Sequence, residues 1–150
     1  RPRDVITLLN LAKAQNRNST NFSPGVLRTV VLSYSNYFMG ELKNELKGHI
    51  DDEDIDTVFR MLSRIGKRSF LYEEIAAYCT EHSYEKACKN PKQLLEEMFE
   101  FSIIGNGYFD QMTQSTRQRW AYKTPDVGLT SVDFDVSMHI HPGLLKALGL

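Results

Sequence analysis

Three groups of residues in this chain have types and spacings that could do chemistry. His139 and His141 stand two positions apart. In a strand that spacing turns both imidazoles to one face, which could begin a metal site. No further Cys or His lies near them in sequence to complete it, so capping of the next helix or packing beside Pro142 is the plainer role. Cys79 and His82 could pair a thiol with a base. On a helix whose apolar stripe includes Ile75 and Tyr78, Cys79 instead reads as a small core residue. Asp51, Asp52, Glu53, Asp54 and Asp56 crowd into one acidic run. A calcium loop counted from Asp51 needs Gly at its sixth position and Glu at its twelfth, where Asp56 and Leu62 stand. The run suits a helix start, where the dipole favours negative charge. "GNG" at 105–107 is too short to cradle a phosphate and reads as a turn into a hairpin. These readings assign no catalytic residue and no metal ligand.

The basic residues form two groups. Lys86, Lys89 and Lys92 cluster just before and at a helix start, and Arg117, Arg119 and Lys123 share one face of an expected hairpin. Either group could touch the phosphates of a nucleic acid. The charge balance offers no help, since 18 basic and 19 acidic residues leave a net charge of -1 and no global field. The plainer roles are a solvated loop for the lysines and cross-strand pairing with Asp133 and Asp135 for the arginines.

At 150 residues, 41% of them apolar, the chain can build a core without disulfide or metal staples. The two cysteines, Cys79 and Cys88, suggest reduced thiols, and no apolar run approaches a membrane span. A cytoplasmic protein with no membrane partner is expected.

Periodicity places the elements. Pro2 and Asp4 suit a first helical turn, and Val5, Leu8, Leu9 and Ala12 make its stripe. Ser23 and Pro24 start a second helix with Leu27, Val30, Val31, Tyr34 and Phe38 inward, extended by Leu42 and Leu46. The acidic run opens a third, with Ile55, Val58, Phe59, Leu62 and Ile65 inward and Gly66 as its cap. "KRSF" is a short extended connector. A fourth helix carries Leu71, Ile75 and Tyr78, and "NP" at Asn90 and Pro91 starts a fifth with Leu94, Leu95, Met98 and Phe99. Then the period becomes two. Trp120 and Tyr122 alternate with Arg117, Arg119 and Lys123, and Val132 to Ile140 alternate apolar with polar residues. Between them "TPDVGLTS" is a wing loop. Trp120 opposite Phe134 would set Arg119 opposite Asp135. A short helix follows Pro142. The order from Asp51 onward is that of a winged helix-turn-helix. The fold class expected is mainly α with a small β-hairpin, an α+β chain: a helical segment over 1–50 packed on a winged-helix domain over 51–150.

"RPRDVITLLNLA", "FSPGVLRTVVLSYS", "EFSIIGNG" and "IHPGLLKALGL" together resemble the C-terminal region of bacterial P-loop ATPases of the broad STAND- and KAP-like group. In that group a "PR" step starts a helix of the ATPase lid, and a winged helix follows. The resemblance implies a non-catalytic C-terminal module. It would couple nucleotide state to partner binding or oligomerisation, with ATP and Mg held by an upstream ATPase domain of the same protein. It implies a nucleotide-sensing role for Arg3, with Arg1 the second choice. The chain itself has no G-x-x-x-x-G-K-[ST] stretch and needs no cofactor of its own. DNA binding by the winged helix is the alternative. The helix that would enter the groove offers Glu96, Glu97 and Glu100, which repel phosphate.

Overall fold

The computed structural model describes residues 2–17, 21, 23–121 and 131–150. The expectations for Arg1, Tyr122, Lys123 and most of the wing loop fall outside those residues. Five α-helices and one four-stranded antiparallel sheet make up the described chain, an α+β fold.

Helices α1 (Pro2–Gln15) and α2 (Pro24–Leu46) form an antiparallel pair. At one end Arg3 reaches Glu41 at 2.7 Å and Glu45 at 3.7 Å, and at the other Thr29 Oγ1 donates to Gln15 Oε1 at 3.1 Å. The α1 stripe is narrower than its spacing predicts. Asp4 and Ala12 are buried, whereas Val5 and Leu9 are exposed, because α1 packs chiefly against one neighbour. Ser23 caps α2, its Oγ accepting from Val26 N–H at 3.3 Å. The second half of α2 enters the core through Phe38, Leu42 and Leu46, while Val31 in the first half stays exposed.

Helix α3 (Asp52–Ile65) ends at Gly66, whose φ of 67° is the left-handed cap conformation. The extended connector is strand β1 (Ser69–Phe70). Helix α4 (Tyr72–Glu81) begins after Leu71, which takes the cap position and is exposed rather than inward. Lys86–Lys89 is a 3-10 turn, and Asn90 Oδ1 caps α5 (Pro91–Glu100) by accepting from Gln93 N–H at 3.3 Å.

The sheet corrects the expected hairpin. "GNG" is not a turn but the middle of β2 (Ile104–Asp110), which pairs with β3 (Ser115–Arg119) and β4 (Ser137–Ile140) in the order β1-β4-β2-β3. Arg119 stands opposite Asn106, not Asp135, and β4 lies between β1 and β2, with Met138 opposite both Phe70 and Asn106. The cause is steric. Gly105 and Gly107 bare one face of β2, and a side chain there would collide with Trp120 and His139 respectively. Trp120 is therefore buried just beyond β3, and residues 131–136 carry no strand. The order α3, β1, α4, α5, β2, β4 remains that of a winged helix-turn-helix, with β3 added at the edge. One core joins α2 to the rest. Ser35 Oγ donates to the Gly143 carbonyl at 2.6 Å and accepts from Ala147 N–H at 2.9 Å, fastening the C-terminal segment to α2.

Candidate functional site

The surface built by the α4–α5 turn, the outer side of α5 and the β2–β3 hairpin carries most of the residues expected to meet a partner. The structure places four of these cations, Lys86, Lys92, Arg117 and Arg119, against partners of their own. Lys86 pairs with Asp51 at the start of α3, which raises the lysine above its ordinary value. The Lys92 ammonium lies 5.7 Å from the Tyr72 ring centre and 5.2 Å from that of Phe134, a cation–π contact with two rings set edge to face. Arg117 Nε meets Asp110 Oδ2 at 2.7 Å. Asp110 also accepts from the backbone N–H of Thr113 and of Met112, and those bonds with Arg117 hold its carboxyl below the usual range. The Arg119 guanidinium sits 4.8 Å over the Tyr108 ring. Lys89 is exposed.

Arg117 and Arg119 therefore do not pair with Asp133 and Asp135. The β2–β3 register brings Arg117 beside Asp110, while Asp133 accepts from the Tyr108 hydroxyl at 3.2 Å and from Asp135 N–H at 3.0 Å. Burial and the Asp133 charge together push the Tyr108 phenol up. On α5, Glu96 and Glu100 are exposed, and Gln93 Nε2 donates to Glu97 Oε1 at 3.1 Å.

Arg3 is half exposed and directed onto Glu41 and Glu45 of α2. To grip a phosphate it would exchange carboxylates for phosphate oxygens, a change its permanently charged guanidinium permits.

The thiol and imidazole groups resolve into structural roles. His82 Nδ1 lies 2.9 Å from the Tyr78 carbonyl and Nε2 lies 3.0 Å from Arg64 Nη1. Both ring nitrogens are thus engaged, one by a carbonyl and one by a guanidinium, and none is left for Cys79. Cys79 is buried and turned instead to Cys88, and burial first, then that contact, pushes its thiol up to about 12. Such a thiol is a poor nucleophile. His139 meets Ser137 Oγ at 3.1 Å and Gln118 Nε2 at 3.3 Å, while His141 accepts from Gly143 N–H at 3.1 Å and stacks on Phe38. Among the described residues no three His, Cys, Asp or Glu side chains gather as a metal site.

Sequence spacing misses the links that join distant elements. Arg60 donates to Glu85 Oε2 at 2.8 Å and to Thr57 Oγ1 at 3.0 Å, tying α3 to the α4–α5 turn. Asn106 holds the backbone of Asp133 through both ends of its amide. Among the described residues no helix is long and apolar enough to cross a membrane. No protein-family model, curated protein or solved structure matches this chain.

Proposed function

We propose that this chain is a non-catalytic regulatory and interaction module of a P-loop ATPase, coupling nucleotide state to the binding of a protein partner or to self-association. The ATPase link rests on the resemblance of "RPRD", "IIGN" and "HPGLLKALG" to that group. ATP and Mg would be held by the ATPase domain, and Arg3 would read the nucleotide's phosphates. The interaction role rests on one observation. Lys86, Lys92, Arg117 and Arg119 are each engaged within the chain, while α5 presents Glu96 and Glu100 outward. A DNA backbone would have to displace those partners and approach an acidic helix.

Nucleotide titration and gel filtration of the isolated chain test the reading. No ATP hydrolysis is expected, and robust turnover by the chain alone would refute it. Binding to random duplex DNA at low salt, weakened by Arg117→Ala and Lys123→Ala, would favour the DNA-binding alternative instead.

A further inference from the structure

Nine large apolar side chains stand exposed among the described residues, and five of them gather on the α1–α2 pair. They are Val5, Ile6, Leu9, Val31 and Leu32, each 37 to 58% exposed. Helix α1 packs chiefly on α2. Ala12 and Val30 are buried but stand outside the central core, so they mark the faces on which the two helices meet.

Helix geometry brings the five together. Val5 follows the buried Asp4, and Val31 follows the buried Val30. One residue turns a helix by about 100°, so in an antiparallel pair that next step points to the same side on both helices. Leu9, four positions after Val5, shares its face. The Arg3–Glu41 and Gln15–Thr29 contacts set the register, which puts Leu9 level with Ser35 and about one turn from Val31. Ile6 and Leu32, one step further round, border this side on its two outer edges. Ser35 shares the face of Val31 and is covered by the C-terminal segment. Before Ser35, and along α1, the same side is bare.

We propose that this side of the α1–α2 pair is a two-fold contact with a second copy of the chain. The inference rests on the self-association arm of the reading above and names its surface. At these exposures the five side chains offer roughly 450 Å² per copy, the size at which an apolar patch marks a contact. Laid on itself the patch buries about 900 Å². The half-buried Leu8, Leu11 and Leu27 bring that to about the 1,000 Å² a specific interface needs. Charge sets the direction. Lys13, Arg17 and Arg28 are exposed at the loop end of the pair, whereas Glu41 and Glu45 share Arg3 at the other. Two copies laid in the same direction would crowd six cations together. Reversed, as a two-fold axis across the patch requires, each basic end lies toward the acids of the other copy.

The test is sedimentation equilibrium of the chain over about 5–500 µM, with far-UV circular dichroism to show that each variant stays folded. A contact of this size should give a monomer–dimer equilibrium at about 10–100 µM. Leu9→Glu and Leu32→Glu place charge at positions already open to water, so each should fold and raise the dimer Kd at least about tenfold. Met112→Glu, on the exposed β2–β3 turn, should leave it unchanged. A monomer throughout, an assembly larger than a dimer, or a dimer that both α1–α2 variants leave intact would overturn the proposal. So would a dimer lost with Met112→Glu. The measurement uses no nucleotide, so a monomeric result sinks this surface and leaves the ATPase reading standing. ATP turnover by the chain alone sinks that reading whatever its oligomeric state.

Discussion

The side chain of Asn106 does for Asp133 what a neighbouring strand would do. Its Nδ2 donates to the Asp133 carbonyl at 2.8 Å and its Oδ1 accepts the Asp133 N–H at 2.9 Å. Asn106 is 1% exposed, so neither bond can be replaced cheaply by water. Asn106→Ala should destabilise the fold by about 2–3 kcal/mol, measured by urea unfolding, because it strands a backbone donor and acceptor. Asn106→Asp removes only the donor and should still cost more than 1 kcal/mol, or about that. A loss within error for both would remove the clamp from the account.

Ser35 is the second such point. One hydroxyl donates to Gly143 and accepts from Ala147, and the residue is 1% exposed. Ser35→Ala should cost roughly 1–3 kcal/mol. The loss should be local as well as global. Hydrogen exchange should quicken at 143–150 before it quickens in α3. Uniform acceleration would show that the C-terminal segment does not depend on this hydroxyl.

Two glycines give opposite expectations. A Cβ on Gly105 would stand 2.6 Å from the Arg119 carbonyl and 2.7 Å from the Trp120 ring, so Gly105→Ala should lower the thermal midpoint sharply or prevent folding. A Cβ on Gly40, inside α2, would meet nothing within 4 Å. Gly40→Ala should therefore stabilise by about 0.5–1 kcal/mol through helix propensity. A destabilised Gly40→Ala variant would mean that α2 needs freedom at that position.

Acid should weaken the fold through His139. Burial pushes its imidazole below the ordinary value. The unfolded chain then binds more protons than the folded one between that depressed value and about 6.5, so stability falls as pH drops through that window and is complete above it. His139→Gln should flatten the denaturation midpoint over that range relative to the parent chain. Parallel curves for parent and variant would argue against any contribution from this ring.

Cys79 and Cys88 should report unfolding. Both are buried, and burial pushes both thiols up. Their modification by an aromatic disulfide reagent should be slow in native buffer and should track the urea transition. Rapid native-state labelling of either would show that the α4–α5 turn opens well below the global transition.

Local signals write the helices clearly. Pro91 after Asn90, Pro24 after Ser23 and Gly66 after Ile65 each mark an end that the structure keeps. The sheet is harder to read for particular reasons. Gly105 and Gly107 carry turn chemistry, yet their purpose is clearance for Trp120 and His139, residues brought near only by folding. Alternation over Val132–Ile140 is genuine, but only Ser137–Ile140 is a strand, because the Asp133 backbone is satisfied by a side chain. Asp54 looks like one of several acids at a helix start. Its enclosure depends on the 3-10 turn and α5, which come 32 or more positions later in the sequence.

The place of β4 has a consequence for how the protein is made. It is the last of the four strands in sequence, yet it lies between β1 and β2 in the sheet. Until Ser137–Leu148 has left the ribosome, β1 has no neighbour and the core lacks Met138, Ile140, Leu144 and Leu148. A nascent chain must hold its helices with the inner edge of β2 unpaired, a state open to pairing with other chains. Completion is therefore late and all at once, and slow translation of the segment before Ser137 would lengthen the time spent at risk.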